Sequence, residues 1–242
     1  MSSETLNFAQ PSYTKQQALD LPLPEQKLYG NWVRHGQVEV AHARLALWLV
    51  KGGNIWLSSE EVAGKSHFMH ALKSEHPSLV LLEPHVQPCS HIQQLKLWLD
   101  RAEHHVFWLV DLPAGLLPQP LALAVFHLIE RAKEMHKELL ISYRSEMFES
   151  LPPELTSRLR MCERVDMTPP RLDKDLQAVL ESVLQTMQWD MKETVLPTLL
   201  QYLPRDLALL LQAIDALDAY SKVHKVKMNA VLALKVLGLK SL

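Results

Sequence analysis

Three consecutive residues, Gly64-Lys65-Ser66, offer the most direct chemistry in the sequence. A glycine, a lysine and a hydroxyl in this order suit a phosphate chain. Backbone N–H groups at a helix start cradle the oxygens, the lysine reaches the outer phosphates and the serine holds magnesium. Such a triplet carries weight only between a strand and a helix. Here the apolar run Asn54-Ile55-Trp56-Leu57 precedes it, and residues 65–74 read as a helix after it. The full pattern G-x-x-x-x-G-K-[ST] is not met. Ser59 takes the place of the first glycine, and Val62 stands where a third is frequent. Glycine serves such loops through positive φ and close backbone approach, and a β-branched residue adopts positive φ only as an outlier. The loop is therefore expected to be reshaped, or to bind nucleotide weakly.

A second chemical group is Asp111, which ends the continuous apolar run VFWLV (106–110). A carboxylate at the tip of a buried strand is the natural partner for the magnesium of a bound nucleotide, alongside Ser66. It also has a plain reading as a strand-end turn residue. Hydrolysis of this kind usually needs a second acidic residue beside it to orient water. The neighbours are Leu112 and Pro113, which cannot do so, and autonomous hydrolysis is expected to be poor. His67 and His70 share a helix face, yet no Glu or Cys completes a ligand set of familiar spacing. No metal site is expected apart from magnesium held through the nucleotide.

The elements that must position these groups follow from hydrophobic periodicity. Strand-length apolar runs occur at 54–57, 78–82, 106–110 and 138–142, separated by helical patterns at 91–103 and 120–136, with another helical pattern at 39–51 before them. Alternating strands and helices predict a parallel sheet covered on both faces. Pro169-Pro170 breaks that rhythm. Beyond it, residues 172–188, 194–202, 206–220 and 228–237 carry helical periodicity and no convincing strand. The expected organisation is a tail over 1–27, an α/β domain over 28–168 and a small all-helical lid over 169–242.

Composition excludes several classes. Hydrophobic residues make up 48% and charged residues 21% of 242, which is ordinary for a globular chain. The net charge of −2 gives no global attraction to nucleic acid. A lysine-bearing stretch from Lys222 onward reads as a solvated basic face. Cys89 and Cys162 lie far apart in no CxxC spacing, as expected of two reduced thiols. The first 13 residues are polar and lack the apolar core of a signal peptide, and no apolar stretch approaches the ~20 residues of a membrane helix. A soluble, cytoplasmic protein is expected.

As an ordered set, the incomplete phosphate loop, VFWLVD (106–111), ELLIS (138–142), LPPELTSRL (151–159) and LPRDLALLL (203–211) resemble the DnaA-type AAA+ initiators. In length the chain is most similar to the short Hda-type regulatory inactivators of DnaA. The resemblance spans roughly residues 28–242 and implies a P-loop AAA+ domain followed by a helical lid. It also implies several roles. LYGNWV (28–33) resembles the family's aromatic opening segment, placing Tyr29 and Trp32 near a nucleotide base. Gly64, Lys65, Ser66 and His67 would form the phosphate loop. Ser142 would be the sensor beside Asp111, and Arg205 a second sensor from the lid. Arg158 looks like the arginine finger that reaches a neighbour's γ-phosphate, a task suited to a permanently charged, bidentate guanidinium. Ser142 and Arg205 also fit ordinary roles, as a strand-end hydroxyl and an exposed side chain.

In the tail, Gln17-Ala18-Leu19-Asp20-Leu21-Pro22-Leu23 resembles the clamp-binding peptide of Hda-type proteins. Physically it is a proline-stiffened apolar segment suited to a preformed groove. The partners so implied are the DnaA initiator and the DNA polymerase sliding clamp, with DNA at most indirectly, no membrane, and a possible homo-oligomer. The cofactor implied is an adenine nucleotide, ADP or ATP, with magnesium. Three functions stay open: a regulator that stimulates DnaA-bound ATP hydrolysis, an autonomous AAA+ ATPase or loader, and a nucleotide-free scaffold of the same fold.

Overall fold

A computed structural model describes residues 32–189 and 191–239. The described residues fall into two compact units, divided between Pro170 and Arg171.

The first unit is an α/β sandwich built on five parallel strands in the order β2-β3-β4-β1-β5. The strands are β1 (Asn54–Ser59), β2 (Leu79–Leu82), β3 (Phe107–Asp111), β4 (Glu138–Arg144) and β5 (Glu163–Asp166). Helices α1 (Glu39–Lys51), α2 (Lys65–Glu75), α3 (His91–Ala102), α4 (Gln119–Glu134) and α5 (Pro153–Arg160) cover it. The strand-to-helix alternation is thus the parallel sheet that the apolar runs predict, with β5 added. That strand, Glu-Arg-Val-Asp, buries Val165 alone and so gives no apolar run to read.

Strand periodicity divides the core into two clusters. Trp56, Val80, Trp108, Val110, Leu139 and Ile141 pack with α3, α4 and α5 in one. Their alternates Ile55, Leu57, Leu79, Leu81, Leu109 and Leu140 pack with α1 and α2 in the other. A strand buried on both faces cannot alternate apolar with polar, which is why these read as continuous apolar runs. Helix starts are locally encoded as well. Ser90 and Gln93 form a reciprocal capping box at α3, and prolines occupy the first turns of α4 and α5.

The second unit is helical: α6 (Asp173–Thr186), α7 (Val195–Tyr202), α8 (Leu207–His224) and α9 (Ala230–Val236). Leu176, Leu180, Val195, Leu199, Leu210, Ile214 and Leu217 are fully buried within it. Asp206 caps α8 by accepting from the Leu209 N–H at 3.1 Å, and Asn229 caps α9 by accepting from Leu232 at 3.0 Å. Among the described residues, no helix is long and apolar enough to cross a membrane.

Candidate functional site

The period-2 geometry of the strands assembles the site. Leu57, Leu109 and Leu140 point to the α1/α2 face, so Ser59, Asp111 and Ser142, each two residues further on, share it. Glu83 lies two residues beyond Leu81, and Arg144 two beyond Ser142, on the same parity. All these positions are at the carboxyl ends of the strands, where parallel sheets place their ligands. Glu83, Asp111, Ser142 and Arg144 line a cleft of about 510 Å³ together with residues 61–67 of the loop and the start of α2. Ser59 lies in register with Arg144, one of the lining residues.

The loop meets the glycine deficit in an economical way. Among its described residues only Gly64 has a positive φ, 76°, and Val62 does not adopt the left-handed region. The loop is therefore compatible with Val62 and needs the one glycine it retains. Gly64 caps α2 without any side-chain hydrogen bond, and the first turn of the helix carries no acidic residue. Its first N–H groups are thus available to an anion, reinforced by the helix dipole. In place of the first glycine, the hydroxyl of Ser59 accepts a hydrogen bond from Lys65 Nζ.

The cleft is electrostatically loaded. Burial pulls the Lys65 ammonium down to a pKa of about 8, with Arg144 lowering it further and Asp111 and Glu146 acting the other way. Asp111 is 9% exposed, and burial raises its carboxyl above the ordinary range. The hydroxyls of Ser66 and Ser142 lie near enough to draw that value back down. Yet neither Asp111 Oδ1 nor Ser142 Oγ completes a hydrogen bond of normal geometry. Asp111 and Ser142 are direct cross-strand partners, and the Leu112 N–H donates to the Ser142 carbonyl at 3.1 Å. Two buried oxygens that complete no hydrogen bond, in a cleft also lined by Lys65 and Ser66, suit a magnesium ion held with phosphate.

The remaining residues singled out in the sequence fall in different places. His67 lines the cleft. Trp32 packs edge-on against Phe68 of α2, ring centroids 4.8 Å apart, and stacks with His42. Tyr29 and the peptide Gln17–Leu23 lie outside the described residues. Arg158 belongs to the last turn of α5, away from the residues lining this cleft. Its Nε donates to Glu130 at 2.5 Å, its guanidinium lies over Phe126, and about a third of the side chain is exposed. Arg205 is paired bidentately with Asp173 within the helical unit, at 2.7 and 3.0 Å, and is half exposed.

Sequence reading missed Glu83 and Arg144. Each stands where strand parity alone would place it, but neither belongs to a motif. One of them meets a residue of α2: His70 Nε2 lies 3.0 Å from Glu83 Oε1.

Neither a family model nor a curated protein matches the sequence. Solved structures do match. Domain III of the replication initiation protein DnaA from Thermotoga maritima aligns at a TM-score of 0.62 and 16% identity, covering 87% of this chain and 95% of that one. The RuvB Holliday junction branch migration motor of the same organism aligns at 0.55 and 13% identity, covering 83% and 68%. AMPPCP-bound DnaA from Aquifex aeolicus aligns at 0.51 and 12%, covering 77% and 63%. With five parallel strands in this order, followed in sequence by a helical unit, the chain has the AAA+ fold that DnaA domain III and RuvB share.

Proposed function

We propose that this chain is a DnaA-related AAA+ regulator of replication initiation that binds an adenine nucleotide and stimulates hydrolysis of ATP held by DnaA. The observation that carries the reading is the contrast within the cleft. The parts that would hold phosphate line the cleft, whereas the residue after Asp111 is Leu112, an apolar side chain that packs into the opposite core cluster. Such a site suits retention of nucleotide better than turnover. Gly64, Lys65 and the first turn of α2 would hold the phosphates, with Arg144 as a second cation. Ser66 and Asp111 would hold magnesium, which supplies charge neutralisation when bound.

Arg158 would then act on a neighbour's nucleotide. Its place on α5, outside its own cleft, supports a role in trans, and Glu130 and Phe126 hold the guanidinium by one hydrogen bond and a ring face. Gln17, Leu19, Leu21, Pro22 and Leu23 would dock on the sliding clamp, and Arg205 would report nucleotide state from the helical unit.

The test is the rate of DnaA-bound ATP hydrolysis in the presence of DNA-loaded clamp and this protein. Arg158→Ala should slow it by roughly three to five orders of magnitude relative to the wild-type complex. An unchanged rate refutes the arginine-finger role. One feature favours a second reading, in which the chain hydrolyses ATP slowly by itself: Glu83 places a carboxylate beside Asp111 from the neighbouring strand end. Turnover by the isolated chain, abolished in Lys65→Ala, would select it.

A further inference from the structure

We propose that His70, Glu83 and Asp111 form a site for a first-row transition-metal dication, which shares Asp111 with the proposed magnesium position and adds an imidazole and a second carboxylate that position lacks. The three residues come from α2, from the turn after β2 and from the end of β3. One imidazole nitrogen and one oxygen from each carboxylate all lie within 4.8 Å of one another. His70 Nε2 and Glu83 Oε1 are already 3.0 Å apart. That is close to the roughly 3.3 Å between donors on a tetrahedral ion with bonds of about 2.0 Å.

Acidic side chains often gather on a surface without an ion, but this set differs in two respects. Asp111 is buried and its Oδ1 lacks a hydrogen-bond partner. The His70 side chain is only 12% exposed, so the imidazole is packed in place.

The supporting structure is also fixed. The Trp98 indole N–H donates to the Glu83 carbonyl at 2.8 Å, anchoring the turn from which the carboxylate projects. Asp111 is locked to Ser142 by strand register. Ligand chemistry selects the class of ion. Magnesium and calcium take oxygen ligands, whereas an imidazole with two carboxylates suits zinc, cobalt or manganese. Two carboxylates also balance the ion's charge. Since Glu83 and Asp111 both line the phosphate cleft, the remaining coordination positions open toward it.

The site requires no nucleotide, so it is tested on nucleotide-free, full-length protein. Titration with Co²⁺, followed by calorimetry and visible d–d absorption, should show one ion per chain. Affinity should weaken at least tenfold in both Glu83→Gln and His70→Gln, with far-UV circular dichroism verifying the fold of each. His91 and His127 stack with ring centroids 5.9 Å apart and form an alternative imidazole pair. Absence of saturable Co²⁺ binding overturns the proposal. So does undiminished binding in both variants, or a loss that follows His127→Gln instead. A parallel ADP titration reads the nucleotide site separately, so failure of either reading is recognised independently of the other.

Discussion

Lys65 concentrates the behaviour of the site in one titratable group. Its burial beside Arg144 depresses the ammonium pKa to about 8, against about 10.4 in an unfolded chain. Between those values the folded protein carries fewer protons than the unfolded one. Lys65 therefore costs stability below pH 8, and the cost is relieved as pH rises toward 10.4. A phosphate chain placed against Lys65 opposes the depression and raises its pKa again, so nucleotide binding takes up a proton near and above pH 8. The ADP dissociation constant should then rise about five- to tenfold from pH 7 to pH 9. Calorimetry at pH 8.5 in two buffers of different ionisation enthalpy should report the uptake, and Lys65→Met should abolish it. An affinity flat across that range would mean that Lys65 does not meet the phosphates. Ser59 belongs to the same account: its hydroxyl holds the lysine that the missing glycine would have left to the ligand.

At the scale of elements, the junction between α1 and β1 shows how the sheet is brought into register. Gly52 and Gly53 both have positive φ, 72° and 107°, and the Gly53 N–H donates to the Glu138 carboxylate. The Trp48 indole N–H donates to the Gly53 carbonyl at 2.8 Å. A Cβ on Gly52 would collide with the Glu138 carboxylate. Gly52→Ala should thus destabilise the protein by about 2–3 kcal/mol, from left-handed strain and a lost anchor combined. The midpoint of urea unfolding measures this, and a change below ~0.5 kcal/mol would show that the junction yields freely. The strands beyond that junction were legible as apolar runs because both faces are buried. β5 was not, since an edge strand with one buried valine leaves only charged letters to read. Arg158 shows the same limit. The resemblance of the segment around it implied a finger, but its place inside the last turn of α5, against Glu130 and Phe126, came from the fold.

For the whole molecule, the proposed division of labour separates nucleotide binding from partner docking. Leu21→Ala with Leu23→Ala should abolish capture by immobilised clamp while leaving the ADP titration unchanged. Those two leucines would fill the groove, whereas the described residues that line the cleft fall within 61–144. Capture that survives both substitutions would remove the tail peptide from the mechanism. The net charge of −2 bears on the same question. A chain without basic excess gains little from phosphate neutralisation along DNA, which is compatible with the proposed localisation through a clamp.

Sequence by itself determined the local chemistry. The triplet Gly64-Lys65-Ser66, the buried strand ending at Asp111, the alternation that makes a parallel sheet and the helical segment beyond Pro170 all follow from spacing and residue type. Those signals are local, because a strand or helix buries side chains at a fixed period and writes that period into the chain. Tertiary structure decided which separate segments meet. Crossover connections put the ends of β2, β3 and β4 beside the phosphate loop. Glu83 and Arg144 entered the cleft and His70 came to Glu83, although 13 residues separate those two in sequence and no motif joins them. Sheet order also set Asp111 against Ser142. Contacts of this kind depend on strand neighbours chosen by the packing of the whole sheet, and no short window of sequence contains them.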